Sequence, residues 1–210
     1  MQVLGLTGSI GMGKTTAAGM LRRLGLPVHD ADQAVHRLFA KSGRAVEPVS
    51  RHFPDVLVDG AVDRKRLGER VFADDAALRL LESLVHPLVR QEALDFLKRH
   101  RRRRSPLVVL DIPLLYETGG DDLCDHVIVV SAPLRIQRQR VLKRPGMNEE
   151  KFRAVLARQL PDALKRRRAD YVIQTGLGKA LTFRQLARLV RKLRRRERER
   201  IRDKTGSIHA

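Results

Sequence analysis

Residues 8–15 read Gly8-Ser9-Ile10-Gly11-Met12-Gly13-Lys14-Thr15, which fits the pattern G-x-x-x-x-G-K-[ST]. The stretch follows an apolar run, residues 2–6, that reads as a buried strand, and it precedes residues 16–24, which read as a helix. This context matters because the glycines let backbone N–H groups approach phosphate oxygens at the positive end of a helix. The stretch therefore predicts a phosphate-binding loop for a nucleoside triphosphate.

Two side chains of this loop are suited to phosphate chemistry. Lys14 can reach the β- and γ-phosphates, and Thr15 can offer its hydroxyl to Mg²⁺. The other loop residues, together with Thr16 in the first turn of the helix, are assigned to nucleotide binding. The rest of the sequence must indicate which acceptor, if any, receives the terminal phosphate.

The size and composition of the chain favour one domain with an insertion. Its 210 residues can bury a proper core. No apolar run approaches the length of a membrane span, and the first residues lead into the predicted strand without a signal-peptide pattern. The single cysteine, Cys124, excludes an internal disulfide framework and a multi-cysteine zinc site. We therefore expect a cytoplasmic protein without a membrane partner.

The basic charge of the chain is concentrated in three blocks. The formal net charge is +19, and residues 98–104, 135–168 and 183–204 hold 29 of the 43 lysines and arginines. The phosphate-binding core is therefore not generally basic. The last block has only Phe183 among its cations, whereas modules for single-stranded nucleic acid interleave aromatic residues with cations. We therefore do not expect a nucleic-acid partner, and the basic tail remains without an assigned role.

Apolar runs that alternate with helical patterns predict βαβ units and a parallel sheet. We expect the pair His86-Pro87 to end one helix, over residues 76–85, before another begins at Leu88. The sequence thus predicts a three-layer α/β fold of the P-loop NTPase type, with a helical insertion and a lid hairpin. After residues 2–6, the further strands are expected near residues 26–30, 107–111, 126–130 and 171–173.

Phosphoryl transfer also needs a metal ligand and a group that orients the acceptor hydroxyl. Asp32, just past the second strand, could accept the hydroxyl proton or could merely cap the helix that follows. Asp30 is interpreted as structural or as a water-mediated metal contact. Asp111 ends a buried strand, where it could orient the metal or act as another cap. Glu117 could help metal or substrate, but an exposed loop acid is an equal alternative.

Arginines near the predicted Pro145-Gly146 turn could close over the phosphates and exclude water. Arg140 and Arg144 are four residues apart and share a helix face with each other. The alternative for each arginine is a solvated surface position. His86 could contact the acceptor, although a lone histidine at a helix end is more often a cap or a packing residue.

The chain resembles the dephospho-coenzyme A kinase family along almost its whole length, and the resemblance rests on the residues above together with several further motifs. The second signature of that family is similar to Asp30-Ala31-Asp32, and its proline-leucine-leucine loop is similar to residues 112–117. The chain departs from the family pattern at Ser9 and Thr15, and at Gln174 where an asparagine is expected. Further motifs that resemble the family are Leu81-Glu82, His86-Pro87, the Q-x-x-R-x-x-x-R pattern of Gln137, Arg140 and Arg144, Arg158-Gln159, and Ala169-Asp170.

The resemblance implies transfer of the ATP γ-phosphate to the ribose 3′-hydroxyl of dephospho-coenzyme A, with Mg²⁺. It implies that Asp32 is the base or orienting acid, that Lys14 and Arg140 are catalytic, and that Arg144 binds ATP. It further implies that His86 and Leu114 contact the acceptor, and that Thr15 and Asp111 serve the metal.

We accordingly divide a single kinase domain, residues 1–210, into four parts, and we expect a monomer or a weak homo-oligomer. The parts are a nucleotide core (about 1–59, 105–134 and 160–195), an acceptor region (about 60–104), a lid (about 135–159) and a basic tail (about 195–210).

Two other functions remain as alternatives. A nucleoside monophosphate kinase would share the lid, but it would not require the histidine-proline and proline-leucine-leucine signatures in this order. A nucleic-acid-associated ATPase or a GTPase switch could use the basic tail. Against this second alternative, the sequence has no N-K-x-D guanine motif, and no predicted strand ends in an Asp-Glu pair.

Overall fold

The fold is described from a computed structural model, which covers residues 1–72 and 74–206, apart from the side chains of residue 72 and of residues 200–206. The chain divides into two compact units. The first unit comprises residues 1–28 and the chain from His100 onward, and the second comprises residues 29–99. The second unit thus also includes residues 29–59, which the sequence analysis assigned to the nucleotide core.

The first unit contains the central strands and the helices that follow them. Its elements are β1 (Gln2–Thr7), α1 (Lys14–Arg23), β5 (Leu107–Asp111), a 3₁₀ turn (Gly120–Leu123), β6 (His126–Ser131), α6 (Leu134–Leu142), α7 (Glu149–Ala157), α8 (Asp162–Arg168), β7 (Tyr171–Gln174) and α9 (Lys179–Gly206). Helix α8 was not predicted.

The second unit is mainly helical, and the boundary between the units falls within β2 at one end and within α5 at the other. Its elements are β2 (Val28–Asp30), α2 (Ala31–Phe39), α3 (Val46–His52), a 3₁₀ turn (Pro54–Val56), the short antiparallel pair β3 (Leu57–Val58) and β4 (Ala61–Val62), α4 (Arg64–Phe72) and α5 (Asp75–Arg102).

The five-stranded parallel sheet has the order β2-β5-β1-β6-β7, which confirms the predicted fold class. In register, Leu6 of β1 lies opposite Asp111 of β5, and Thr7 lies opposite Val129 of β6. Two carboxylates tie the strands together, because Asp125 accepts a hydrogen bond from Val3 N (2.7 Å) and Asp170 accepts one from Val127 N (2.7 Å). The sheet thus brings the carboxyl end of β1 beside those of β5 and β6.

Alternating residues of the strands fill separate cores on the two faces of the sheet. On one face, residues such as Leu4, Leu6 and Ile128 pack with buried residues of α1 and α9, including Leu21 and Leu193. On the other face, Val127 and Val129 pack with Leu115 and Tyr116 from the loop after β5. Because successive strand side chains point to opposite faces, the sheet is buried on both sides.

Helix α5 continues through Pro87, so the prediction that His86-Pro87 ends a helix was wrong. Proline removes one N–H donor and disfavours the helical conformation. Apolar residues on both sides of it nevertheless favour continuity, since Leu84, Val85, Leu88 and Val89 all pack in the core of the second unit. This burial outweighs the local cost of one missing hydrogen bond.

The terminal helix α9 is partly buried beyond its apolar residues Leu186, Leu189, Val190 and Leu193, which pack in the core of the first unit. Glu197 is 1% exposed, and its carboxylate lies 2.9 Å from the Met1 amine. The last part of the predicted tail, residues 207–210, lies outside the described residues. Among the described residues, none of the helices combines the length and the apolar character that crossing a membrane requires.

Candidate active site

The loop between β1 and α1 has the backbone geometry that phosphate binding needs. Gly11 and Gly13 have φ values of 76° and 89°, a region that side-chain-bearing residues rarely adopt. A Cβ on Gly11 would also lie 2.6 Å from Val141 Cγ2. Because Gly13 is the N-cap of α1, no side chain caps the N–H groups of its first turn. These N–H groups and the helix dipole together favour an anion at this end of α1.

The lysine of the loop is held by the acid at the end of β5. Lys14 Nζ lies 2.8 Å from Asp111 Oδ1, and their side chains are only 14% and 2% exposed. Thr15 and Thr16, in the first turn of α1, are exposed. The structure thus places Lys14, Thr15 and the carboxylate of Asp111 around the phosphate loop.

Side chains from distant parts of the first unit hold the crest of the loop. Gln137 Nε2 donates to Ile10 O (2.8 Å), and Ile10 N donates to Gln159 Oε1 (3.0 Å). Thr175 Oγ1, which is buried, donates to Met12 O (2.7 Å). The loop is therefore fixed by α6, by the segment after α7 and by the end of β7.

Of the predicted lid arginines, Arg140 alone contacts the phosphate loop within the described residues. Its Nη1 lies 3.1 Å from Thr175 Oγ1 and 3.4 Å from Gly11 O, and its Nη2 donates to Thr175 O (2.7 Å). Arg144 is exposed just after the end of α6. Arg138 forms an ion pair with Glu149, at the start of α7.

The proline-leucine-leucine loop is attached to β1 and to α8. Thr7 Oγ1 donates to Pro113 O (2.9 Å), and Leu114 is half-buried. Glu117 pairs with the fully buried Lys165 (2.8 Å) and accepts a hydrogen bond from Leu160 N (2.8 Å). Glu117 is therefore an exposed loop acid that also makes a structural contact.

Tyr116 and Arg168 add a further contact between the same loop and α8. The Arg168 guanidinium lies 4.2 Å from the centre of the Tyr116 ring and also pairs with Asp121 (2.9 Å). Burial raises the pKa of the Tyr116 hydroxyl to about 12, so the hydroxyl stays protonated at neutral pH. The loop that carries Leu114 is thus held by α8 on its far side.

In the second unit, Asp30 and Asp32 have different environments. Asp30 is the N-cap of α2, and its carboxylate accepts a hydrogen bond from Gln33 N (3.0 Å). Asp32 is exposed in the first turn of the same helix. Capping therefore belongs to Asp30, as the structural interpretation of that residue expected, and the carboxylate of Asp32 faces solvent. His86 is exposed on α5.

A histidine precedes this pair of acids and is buried without a partner on one ring nitrogen. His29 is 5% exposed, its ring centre lies 5.4 Å from that of Phe96, and its Nε2 has no hydrogen-bond partner among the described residues. Burial, followed by the positive charge of Arg37, lowers the pKa of His29 to about 4. The imidazole is therefore neutral at pH 7.

The predicted residues thus fall into two groups. The first unit brings together the loop from Gly8 to Thr15 with Asp111 and Arg140, and the second unit carries Asp32 and His86. Sequence reasoning missed Thr175 as a member of the site, and it noted Gln137 and Gln159 without giving them a role. Family motifs include the two glutamines, but no local pattern shows what any of the three side chains contacts, because each contacts the loop from more than 120 residues away.

Comparisons with known proteins agree with this arrangement. The family model described as dephospho-CoA kinase matches residues 2–179. A dephospho-CoA kinase from Paramagnetospirillum magneticum is 64% identical over 166 residues, which cover 79% of this chain and 78% of the relative. Another, from Mesorhizobium japonicum, is 58% identical over 178 residues, which cover 85% of this chain and 89% of the relative.

Two solved structures are similar in fold. A Thermus thermophilus protein aligns with a TM-score of 0.79 and 36% identity, over 90% of this chain and 95% of that one. A dephospho-CoA kinase from Campylobacter jejuni aligns with a TM-score of 0.70 and 24% identity, over 92% of this chain and 97% of that one.

Proposed function

The chain belongs to the dephospho-CoA kinase family, and from this premise we propose how its residues transfer the γ-phosphate of ATP to the 3′-hydroxyl of the dephospho-CoA ribose. The activity is that of an ATP-dependent phosphotransferase, and it belongs to coenzyme A biosynthesis. The proposal below concerns the role of each residue.

The proposed binding site for ATP, the phosphate donor, rests mainly on one observation. Lys14 and Asp111 form an ion pair at the N-terminus of α1, which no side chain caps. Backbone N–H groups from Gly11 to Thr15 bind the phosphates of ATP. The Lys14 ammonium, which Asp111 keeps beside the loop, moves onto the β- and γ-phosphates and offsets the charge that develops during transfer. Such preorganised charge lowers the barrier because little reorganisation is needed when the reaction occurs.

Thr15 and Asp111 are suited to Mg²⁺, which ATP brings to the site. Mg²⁺ prefers oxygen ligands and is usually held by one or two protein groups together with substrate phosphates. The exposed Thr15 hydroxyl and the Asp111 carboxylate, within 2.8 Å of the neighbouring Lys14, are donors of this kind. When bound, the ion would neutralise charge on the β- and γ-phosphate oxygens.

Asp32 is proposed as the acid that orients the acceptor. Its carboxylate accepts the proton of the 3′-hydroxyl as the hydroxyl oxygen bonds to the γ-phosphorus. The bond from that phosphorus to the β–γ bridging oxygen breaks, and ADP leaves with the electron pair. Exposure of Asp32 supports this role, because its carboxylate is not used to cap α2. His86 and Leu114 are proposed acceptor contacts on the family resemblance alone.

Arg140 and Arg144 are proposed to bind ATP from the lid. Three contacts hold Arg140 on Gly11 and Thr175, and a guanidinium has five N–H donors, so donors remain for phosphate. Arg144, which is exposed, would reach ATP only when the lid closes.

The proposal is tested by ADP release from purified protein with ATP and Mg²⁺. We expect release to depend on dephospho-CoA, with AMP, CMP and shikimate as control acceptors that give no more than the background rate. Release that is equal with AMP or CMP would favour the nucleoside monophosphate kinase alternative.

The role of Asp32 is tested by the Asp32→Asn variant. We expect turnover to fall about a hundredfold, which is the scale of general acid–base assistance, while ATP affinity stays close to that of the parent. Asp30→Asn is the matched control, because asparagine caps a helix as well as aspartate does. Turnover of Asp32→Asn equal to that of Asp30→Asn would contradict the assignment.

We also propose a cytoplasmic location and a monomer or weak homo-oligomer. A single cysteine is consistent with a reducing compartment. Sedimentation of the purified protein over a range of concentrations would measure the oligomeric state.

A further inference from the structure

We propose that Gln137 and Gln159 are positioning residues that set the affinity for ATP by holding the Ile10 peptide groups of the phosphate loop. We call these two side chains the glutamine latch. The inference rests on the proposed function only in taking ATP as the ligand of the loop, and it does not depend on the identity of the acceptor.

The two hydrogen bonds of the glutamine latch have opposite directions. Gln137 Nε2 donates to Ile10 O at 2.8 Å, whereas Gln159 Oε1 accepts from Ile10 N at 3.0 Å. The partners fix the orientation of both amides, because a backbone carbonyl only accepts and a backbone N–H only donates. Gln137 is 3% exposed, so an unsatisfied group on it would be costly.

The two hydrogen bonds fix two successive peptide groups, Ser9–Ile10 and Ile10–Gly11. The second of these peptide groups contains the Gly11 N–H, which is one of the groups proposed to bind phosphate. Ile10 O and Gly11 N–H belong to the same planar trans peptide, in which C=O and N–H point in opposite directions. By donating to Ile10 O, Gln137 therefore directs the Gly11 N–H away from itself. The peptide before it is fixed in the same way, since Gln159 binds Ile10 N while Ser9 O accepts from Met12 N (3.1 Å).

The loop needs this support because its own conformation is weakly constrained. Gly11 and Gly13 both have positive φ, and glycine has access to many alternative backbone conformations. An anion site built from N–H groups binds well only if those groups are already oriented. The glutamine latch supplies that orientation from both ends of the lid hairpin, since Gln137 lies on α6 and Gln159 follows α7.

The opposite hydrogen-bond directions allow a test in which the same substitution has different effects at the two positions. Gln159→Glu keeps an acceptor for Ile10 N, whereas Gln137→Glu replaces a donor by an acceptor that faces Ile10 O. Gln139→Glu is the matched control, because Gln139 is exposed on the same helix as Gln137 and the change in charge is identical. Gln159→Met removes the acceptor while keeping a side chain of similar length.

The measurement is the dissociation constant for ATP with Mg²⁺, obtained by calorimetric titration without any acceptor. We expect Gln137→Glu to weaken ATP binding about tenfold or more, and Gln159→Met about fivefold, the range for one buried hydrogen bond left unmade. Gln159→Glu adds the same charge beside the loop as Gln137→Glu but keeps the acceptor for Ile10 N, so it should bind ATP at least about threefold more tightly than Gln137→Glu. Gln139→Glu should stay within about twofold of the parent. The KM for dephospho-CoA should not change in any variant.

Several outcomes would overturn the proposal. ATP affinities of Gln137→Glu and Gln159→Met equal to that of Gln139→Glu would show that the latch does not set affinity. Equal ATP affinities of Gln137→Glu and Gln159→Glu would show that the hydrogen-bond direction is not what matters. If Gln137→Glu does not fold, Gln159→Met decides alone, because it removes the acceptor without adding a charge. A parent protein that binds ATP but fails to phosphorylate dephospho-CoA would contradict the proposed function and leave the latch standing.

Discussion

The β1–α1 turn and the β2–α2 turn both lead from a strand of the sheet into a helix, yet they favour opposite charges at the start of that helix. At the first turn the N-cap is Gly13, which offers no side chain, so the N–H groups of α1 remain available to an anion. At the β2–α2 turn the Asp30 carboxylate accepts a hydrogen bond from Gln33 N, and Asp32 adds a second negative charge at the start of α2. The N-cap residue thus leaves the start of α1 open to an anion and places a carboxylate at the start of α2.

The two turns also differ in what holds them in place. The first turn has a flexible glycine backbone, and residues more than 120 positions away support it. The second turn is capped by its own side chain, three residues from the amide that it binds. Backbone N–H groups that are left open for a ligand cannot also form hydrogen bonds that stabilise their own turn. The stability of the β1–α1 turn therefore comes from distant side chains.

The largest expected effect is the loss of turnover when the Lys14 ammonium of the β1–α1 turn is removed. Lys14→Met should lower turnover about a thousandfold, because preorganised cations on the transferring phosphate contribute on that scale. The measurement is ADP release with saturating dephospho-CoA. Lys41→Met, at an exposed position of the second unit, is the control and should behave like the parent. Turnover of Lys14→Met within tenfold of the parent would rule out this turn as the donor site.

A smaller effect is expected from His29, the buried histidine in the middle of β2. Burial lowers the pKa of His29 to about 4, below its ordinary value of 6.5. Between these values the unfolded chain binds more protons than the folded one, so this contribution to stability is lost as the pH falls through that window. The loss at pH 4 should be about 3 kcal/mol relative to pH 7.

Urea unfolding at several pH values measures this contribution. The free energy of unfolding of His29→Leu should decrease less between pH 6.5 and 4 than that of the parent, since leucine does not titrate. Comparison of the two proteins cancels the contribution of the carboxylates, which is common to both. Parallel curves for the two proteins would show that the pKa of His29 is the same in the folded and the unfolded chain.

The smallest expected effect concerns the cap of the second turn. Asp30→Ala should lower the free energy of unfolding by about 1 kcal/mol, because Gln33 N loses its acceptor, while Asp30→Asn should cost only a few tenths. Chemical unfolding measures both. Equal stabilities of the two variants would show that the cap does not stabilise α2. ATP affinity should be unchanged in both, since the phosphate loop is held by other residues.

Much of the fold could be predicted from local patterns. The glycine spacing of the phosphate loop and the five strand runs follow from residues within a few positions of one another. The cap of α4 is equally local, since Asp63 accepts from Lys65 N (2.8 Å) and Arg66 N (3.1 Å). The proline rule failed at Pro87, because burial on both sides of the proline is a tertiary effect that a local rule does not include.

The site could be predicted only where a residue's role is local. Lys14, Thr15 and Asp111 were predicted because their residue types, in the loop after β1 and at the end of β5, are typical of phosphate chemistry, and their roles stay predictions. Arg140 was predicted as a phosphate ligand, and that role stays a prediction, whereas its contacts with Thr175 needed the structure. The burial of Lys165 beside Glu117 also needed the structure, because Lys165 belongs to a run of four basic residues that the sequence does not distinguish from one another.

The position of β1 in the sheet has a consequence for the order of events during synthesis. Both neighbours of β1 lie more than a hundred residues further along the chain, since Gln2 pairs with Leu107 in β5 and Leu4 pairs with His126 in β6. At about 5–20 residues per second, a ribosome needs roughly 5–20 s to make the intervening residues. The contiguous second unit can form its own core during that interval. The loop that comes first in the sequence is therefore among the last parts of the molecule to gain its native neighbours.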